Sequence, residues 1–115
     1  MKLAAVVRSY CATEPLLLFS NHNKLAKLRL NKPKGLNALN LPMILKMREL
    51  IKEWNADLKC GAVIVYGTGA KAFCAGGDVR SLYDAKHGDG DSDLLSQFFW
   101  EEYIMDYALS KMRPV

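Results

Sequence analysis

The ten residues from Lys71 to Arg80, with the sequence KAFCAGGDVR, hold the residue types best suited to chemistry in this chain. Two adjacent glycines, Gly76 and Gly77, follow a strand-like run and precede an acidic helix start at Asp78. Glycine lets the backbone approach a ligand closely, and the N–H groups at a helix start point outward with the positive end of the helix dipole behind them. We expect such a turn to hold an anion or a developing oxyanion.

The residues GTGAKA at positions 67–72 overlap the start of this stretch and fit a loose dinucleotide-binding fingerprint. That fingerprint requires a helix that opens at its glycines. Here the glycine pair at Gly76 and Gly77 follows almost at once and would break such a helix. The sequence therefore favours a plain surface turn over a nucleotide site.

Metal and nucleic-acid sites are not indicated by the residue spacing. The three cysteines, Cys11, Cys60 and Cys74, form no CxxC pair. The acids between residues 89 and 93 lack the glycine and the glutamate of a calcium loop. The basic run over residues 24–34 has no interleaved aromatics, which favours a solvated strand face over a nucleic-acid surface.

The composition is that of one globular domain. The 115 residues carry a net charge of +4, half of them are hydrophobic, and no apolar run reaches the roughly 20 residues that a membrane span needs. The N-terminal residues 1–13 contain Lys2 and Arg8 but no acid before Glu14. We expect these residues to be a presequence for the mitochondrial matrix, with a frayed N-terminus of no targeting role as the alternative.

Hydrophobic patterns predict an α/β fold. Residues 15–20 and 25–30 read as an antiparallel hairpin with a turn over residues 21–24, and the apolar run 62–66 reads as a parallel strand covered on both faces. Between them lies a helix that Asn40 caps. Residues 78–85 and 94–109 predict two further helices around a polar loop over residues 86–93.

The long helix has an apolar stripe that we expect to be core. Its members recur at three and four residues and are Ile44, Met47, Ile51, Trp54 and Leu58. On the last helix, Phe98, Phe99, Trp100 and Tyr103 predict a packing surface. Glu101 and Glu102 are neighbours there, about 100° apart around the axis, so both cannot face one site. The sequence favours two exposed acids, with one acid in a pocket and the other in solvent as the alternative.

Two motifs together resemble the crotonase (enoyl-CoA hydratase/isomerase) superfamily. Residues 30–39, LNKPKGLNAL, resemble its LNRPxxxNAL loop, and residues 71–78, KAFCAGGD, resemble its KAFxAGxD turn. The likeness runs from about Pro15 to Val115. The combination of CAGGDVR with FFWEEY over residues 98–103 is most similar to the superfamily's acyl-CoA thioester hydrolases of valine catabolism.

The resemblance implies a partial crotonase (ClpP-like) fold and a specific set of site residues. The backbone N–H of Gly77 corresponds to a catalytic donor to the thioester oxygen. The substrate-binding positions of the family correspond to Lys34, Gly35, Leu36, Ala75, Asp78, Val79 and Glu102. In this scheme CoA is the carrier part of the substrate, and neither a separate cofactor nor a metal is expected.

The resemblance also implies an incomplete site. The superfamily's second oxyanion donor and its acid/base carboxylates lie beyond the position of Val115. We therefore expect residues 14–115 to be the N-terminal part of a crotonase-fold domain, inactive alone, and homo-oligomeric if the full-length chain exists. A catalytically incomplete module that binds CoA or a partner, and an enoyl-CoA hydratase or isomerase relative, stay open as alternatives.

The basic leader gives the first prediction. Because Arg8 lies where mitochondrial presequences are often cut, we expect cleavage near Tyr10 after import. Mass spectrometry of the N-terminal peptide of protein isolated from mitochondria checks this. An intact Met1 on the imported protein would contradict it.

Overall fold

A computed structural model describes residues 4–8, 14–88 and 93–113, and these form four strands and three α-helices. The strands are β1 (Ala4–Arg8), β2 (Pro15–His22), β3 (Leu25–Leu30) and β4 (Ala62–Gly67). The helices are α1 (Leu41–Ala56), α2 (Val79–His87) and α3 (Asp93–Ser110), with one 3₁₀ turn at Pro33–Gly35. The strands make one sheet in the order β1-β2-β3-β4. The predicted α/β class is confirmed.

The β2–β3 hairpin turns more tightly than the sequence indicated. Strand β2 continues through His22, which pairs with Leu25, so only Asn23 and Lys24 form the turn. Both have positive φ, 49° and 67°. Two left-handed residues are typical of a type I′ turn, whose twist matches that of the flanking strands. The four-residue turn predicted from Asn21 is therefore wrong by two residues.

Strand β4 lies parallel to β3, as predicted, with Leu25 opposite Ala62 and Leu30 opposite Gly67. Val63 and Val65 face the core, on the same side as the buried Leu28. The prediction that both faces are covered is wrong for this part of the chain, because Ile64 is 46% exposed. Alternate residues of a strand point to opposite faces, so Ile64 lies on the face away from that core.

Helix α1 supplies much of the core beneath this sheet. Its N-terminus is capped by Asn40, whose side-chain oxygen accepts a hydrogen bond from the Met43 N–H at 3.1 Å. Four of the five predicted stripe residues are buried: Ile44, Met47, Ile51 and Trp54. The fifth, Leu58, is 87% exposed. The helix ends at Ala56, so Leu58 lies in the following turn, where helical periodicity no longer applies.

Helix α3 packs against α1 and covers the predicted range 94–109. Phe98 and Met105 are its fully buried residues among those described. Trp100 and Tyr103 are 68% and 67% exposed, so the predicted aromatic packing surface is only partly buried.

The loop predicted over residues 86–93 is shorter at its start because Lys86 and His87 belong to α2, and residues 89–92 of that loop lie outside the described residues. None of the helices described here is both long and apolar enough to span a bilayer.

Asn37 joins the loop between β3 and α1 to the loop after β4. Its side chain is completely buried. The amide nitrogen donates to the carbonyl oxygens of Thr68 and Ala72, each at 3.0 Å, and the amide oxygen accepts from the Lys32 N–H at 2.9 Å. Its backbone φ of 55° lies in the left-handed region, where Asn is tolerated better than most residues. A Cβ on Gly67 would lie 2.6 Å from this amide nitrogen, which excludes a side chain there.

We expect Asn37→Ala to lower the free energy of unfolding by about 3 to 4 kcal/mol, because it leaves buried polar groups unpaired and adds left-handed strain. Urea denaturation of the purified chain checks this. Asn37→Gly also loses the hydrogen bonds but avoids the left-handed strain. The difference in unfolding free energy between the two variants therefore measures the backbone strain. Asn21→Ala, at an exposed position of β2, is the matched control. Equal stability of Asn37→Ala and Asn21→Ala would contradict the role of the buried amide.

Candidate functional site

The loop before α1 and the glycine turn before α2 lie side by side. The Ala75 N–H donates to the Leu36 carbonyl at 3.0 Å, the Leu39 N–H donates to the Gly76 carbonyl at 2.8 Å, and the Asp78 N–H donates to the Leu39 carbonyl at 2.8 Å. Leu39 and Gly77 thereby form an isolated parallel bridge. The two motifs that carry the family resemblance are therefore neighbours in space.

This bridge does not use the Gly77 N–H. In parallel pairing, one residue bonds to the two residues that flank its opposite number, and here Leu39 bonds to Gly76 and Asp78. The N–H of Gly77 then points away from Leu39, and no acceptor among the described residues pairs with it. It lies just before Asp78, the N-cap of α2, where the helix dipole favours a negative charge.

Side chains of α3 occupy the space where a Cβ on Gly77 would lie. A Cβ built there would lie 2.9 Å from Cζ of Phe98 and 3.4 Å from Oε1 of Glu102. Gly76 has the opposite constraint. It has open space around its Cβ position but a φ of 90°, which L residues rarely adopt. The turn therefore requires its two glycines for different reasons.

The two glutamates of α3 face different partners, and the expectation of two exposed acids is wrong. Glu101 makes an ion pair with Arg48 of α1, and its side chain is only 15% exposed. Glu102 lies beside Gly77 instead. Burial raises the pKa of the Glu102 carboxyl, and the Asp106 carboxylate one turn further along adds to the rise. Glu102 therefore keeps its proton to a higher pH than an ordinary glutamate.

Asp78 ties the glycine turn to the first loop. Its Oδ2 accepts from Lys32 Nζ at 2.6 Å, and its Oδ1 accepts from the Ser81 N–H at 3.3 Å, which caps α2. Burial acts to raise the pKa of Asp78, but the hydrogen bonds from Lys32 and Ser81 and the Lys32 charge hold it below its ordinary value. This carboxylate is therefore charged at neutral pH and is bonded to Lys32 and Ser81 of the same chain.

A groove of about 380 Å³ lies next to the 3₁₀ turn that carries the predicted substrate-binding residues Lys34 and Gly35. Its lining includes Lys34 and, from the loop after β4, Thr68 and Lys71. The Thr68 hydroxyl oxygen is buried and has no hydrogen-bond partner among the described residues. Sequence reasoning did not include Thr68 or Lys71 in the site, although Lys71 is the first residue of the KAFxAGxD-like motif and could have been weighed with Lys34.

The predicted site residues lie on the 3₁₀ turn, the glycine turn, the start of α2 and α3. Leu36, Ala75, Gly77 and Asp78 are joined by the loop hydrogen bonds, and Glu102 reaches Gly77 from α3. Lys34 and Gly35 precede Leu36 on the same 3₁₀ turn. Val79 is 74% exposed in the first turn of α2. Among the described residues, no group of three or more His, Cys, Asp or Glu is placed to hold a metal ion.

The sequence model of the enoyl-CoA hydratase/isomerase family matches residues 25–115. The chain belongs to this family, the crotonase superfamily. Among solved structures, it is similar to a carnitinyl-CoA dehydratase from Mycobacterium thermoresistibile, with a TM-score of 0.77 and 30% identity. That comparison covers 86% of this chain and 28% of the dehydratase. The predicted crotonase fold is confirmed.

Curated relatives give a finer comparison. The chain is 45% identical over 94 residues to the mitochondrial 3-hydroxyisobutyryl-CoA hydrolase of Danio rerio, covering 81% of this chain and 24% of that protein. It is 51% identical over 81 residues to the hydrolase of the same name from Xenopus laevis, covering 70% of this chain and 20% of that protein. The chain thus spans about a fifth to a quarter of these relatives.

The lowered pKa of Asp78 predicts a pH dependence. A carboxyl whose pKa is lower in the folded than in the unfolded state stabilises the fold at pH values above its unfolded-state pKa, which is about 3.9 for Asp. That stability is lost as the pH falls through the folded-state pKa. We expect Asp78→Asn to cost about 1 kcal/mol at pH 7, and the deficit to disappear as the pH falls below the folded-state pKa of Asp78. Urea denaturation across pH measures this. Asp84→Asn, at an exposed pair with Arg80, is the control. A constant deficit at every pH would contradict the prediction.

Proposed function

We propose that this chain supplies the acyl-CoA cradle and one oxyanion donor of a 3-hydroxyisobutyryl-CoA hydrolase. The observation that carries the proposal is the Gly77 N–H, which pairs with no acceptor in the part of the chain that the structure describes and lies between the Leu39 bridge and the N-cap of α2. The names of the similar Danio rerio and Xenopus laevis proteins support the substrate. The same names support a mitochondrial location, and we propose the matrix.

The chemistry fits a donor fixed in this way. When water or a carboxylate attacks a thioester carbonyl, a C–O bond forms and the carbonyl oxygen gains negative charge before the C–S bond breaks and CoA leaves. A preorganised N–H that meets this oxygen stabilises it by roughly 3 to 4 kcal/mol relative to an unassisted reaction. The Leu39 bridge does not use the Gly77 N–H, because Leu39 bonds to Gly76 and Asp78 instead.

The carrier part of the substrate matches the charged groove. CoA carries phosphates, and Lys34 and Lys71 line one groove at the 3₁₀ turn whose residues Lys34 and Gly35 the resemblance makes substrate-binding. Leu36 and Ala75 connect this groove to Gly77 through their backbone hydrogen bond. In this proposal CoA is part of the acyl-CoA substrate and is not a separate cofactor.

A hydratase or isomerase relative is the second candidate. Its support is the likeness to a carnitinyl-CoA dehydratase, since an enolate oxygen and a tetrahedral oxyanion can use the same donor. Glu102 favours the hydrolase. Its carboxyl lies beside Gly77 within the FFWEEY segment, which resembles the thioester hydrolases.

A chimera tests the proposal. We expect a Danio rerio hydrolase whose aligned segment is replaced by this chain to release free CoA from 3-hydroxyisobutyryl-CoA, measured with a thiol reagent. Gly77→Ala should lower kcat/KM by about a hundredfold, because the added methyl meets Phe98 and displaces the donor. Gly61→Ala is the matched control, since its Cβ would make only ordinary contacts.

Three results would count against the proposal. A folded chimera without thioesterase activity contradicts the hydrolase, and hydration of an enoyl-CoA in its place favours the second candidate. Full activity in a folded Gly77→Ala variant removes Gly77 from the site. Adding Phe98→Leu to Gly77→Ala makes room for the methyl group and should restore part of the rate. If it restores none, the loss does not arise from contact with Phe98.

A further inference from the structure

The glycine turn places a carboxylate directly after its backbone donor. Asp78 follows Gly77 in the chain and caps α2, and its pKa is held below the ordinary value, so it is charged at neutral pH. This carboxylate would repel a negative charge that develops on an oxygen at the Gly77 N–H, because like charges on neighbouring residues oppose each other. An acidic N-cap therefore stabilises the helix but opposes the chemistry to which this turn is suited.

Lys32 supplies the opposite charge. Its Nζ lies 2.6 Å from Oδ2 of Asp78, and the two side chains are only 24% and 17% exposed. Solvent ions screen such a pair less than an exposed one. Arg80, in the first turn of α2, has an exposed side chain that lies 3.8 Å from Asp84 instead. In the part of the chain that the structure describes, Asp78 is thus balanced by Lys32.

The Lys32 side chain is held along its length. Its stem lies against the 3₁₀ turn, where a Cβ on Gly35 would be 2.9 Å from Cε and 3.5 Å from Cγ of Lys32. Its ammonium group also donates to the Ala38 carbonyl oxygen at 3.5 Å. Because Gly35 has no side chain, the stem has a path to Asp78, and the charge is kept at the turn.

The backbone of the glycine turn has its own support. The Leu39 N–H donates to the Gly76 carbonyl and the Asp78 N–H donates to the Leu39 carbonyl, each at 2.8 Å. These two bonds hold Gly77 from both sides and do not involve the Asp78 carboxylate. What the Lys32 side chain adds at this place is therefore charge.

We propose that Lys32 is the counter-charge of the glycine turn, which neutralises Asp78 so that no unbalanced carboxylate opposes an oxyanion at the Gly77 N–H. Lys32 exerts this effect through Asp78. The inference rests on the proposed function in taking the Gly77 N–H as the donor to an oxyanion, and it applies equally to the enolate oxygen of a hydratase reaction.

The other ionisable groups near the donor leave this balance in place. Glu102 lies beside Gly77, but burial and a neighbouring carboxylate raise its pKa, which favours its neutral form. Lys34 and Lys71 lie in the adjoining groove, where the proposed function has them meet the CoA phosphates. A substitution in the ion pair is therefore the direct way to unbalance the charge at the turn.

The first test measures the charge at the Gly77 N–H in the 115-residue chain. Hydroxide removes an amide proton through an intermediate with negative charge on the peptide group, so nearby charges change the rate of amide hydrogen exchange. We expect Lys32→Met to slow exchange of the Gly77 amide by about fivefold to tenfold, followed by nitrogen-15 NMR. A turn that is merely loosened exchanges faster, so the direction of the change separates the two roles.

Further variants complete this test. Adding Asp78→Asn to Lys32→Met removes the unbalanced charge and keeps a good N-cap residue, so the exchange rate should return to near that of the parent. Lys32→Arg keeps the charge and should leave the rate nearly unchanged. Lys46→Met breaks an ion pair with Glu49 on α1 and is the matched control. If Lys32→Met does not fold, Lys32→Gln, which keeps a hydrogen-bond donor without the charge, takes its place.

The second test is the kinetics of the chimera. Because the oxygen gains its charge only in the transition state, we expect Lys32→Met to lower kcat by about tenfold with little change in KM. Adding Asp78→Asn should regain most of that loss, whereas a loop that had simply lost its ion pair would stay impaired. If the chimera hydrates an enoyl-CoA instead, the same variants are compared in that reaction.

The two tests fail separately. Exchange at Gly77 that is unchanged or faster in folded Lys32→Met, or that Asp78→Asn does not restore, would overturn the inference even where the chimera is active. If the parent chimera is inactive, the proposed function fails, and the exchange rates alone decide whether Lys32 balances Asp78.

Discussion

The geometry of this protein depends on one buried amide. Asn37 uses its oxygen to hold the Lys32 N–H and its nitrogen to hold the carbonyls of Thr68 and Ala72. These atoms belong to two loops that are far apart in the chain, and the side chain between them is closed to water. An amide in such a place must satisfy its donors and acceptor within the protein, so the two loops are held where their backbone groups reach it. The positions of Lys32, Asp78 and the glycine turn follow from that arrangement.

Much of the fold could be predicted from local patterns. The hairpin, the Asn40 cap and the parallel strand each follow from a turn signal, a capping residue or an apolar run, which are local properties of the chain. The errors occur where a helix ended before its apolar spacing did, or where the burial of a residue depends on segments distant in the chain. Leu58 continued the helical spacing after the helix itself had ended. Ile64 belongs to an apolar run, yet one face of its strand is open in the described part of the chain.

The candidate site was predictable only as two separate motifs. Residue types and family resemblance singled out Gly77 and Glu102, but no sequence pattern states that α3 brings a carboxyl to that glycine. Nor does a sequence pattern say which of the two adjacent glutamates faces that glycine, because both have the same chemistry and large apolar side chains lie on both faces of α3. The ion pair with Arg48 is a tertiary contact between residues on different helices. Such contacts depend on how the helices pack and leave no local signature.

The bridge between Leu39 and Gly77 also has a consequence for how the protein folds. Its two partners are separated by all of α1 and β4, so the bridge forms only when that crossover has closed. Closing a long loop costs chain entropy that local contacts such as the β2–β3 hairpin do not incur. The glycine turn is thus expected to acquire its final shape late, after the sheet and α1 have assembled. A ligand that touches both loops would then bind only the finished molecule, and its binding energy would add directly to the stability of the element that forms last.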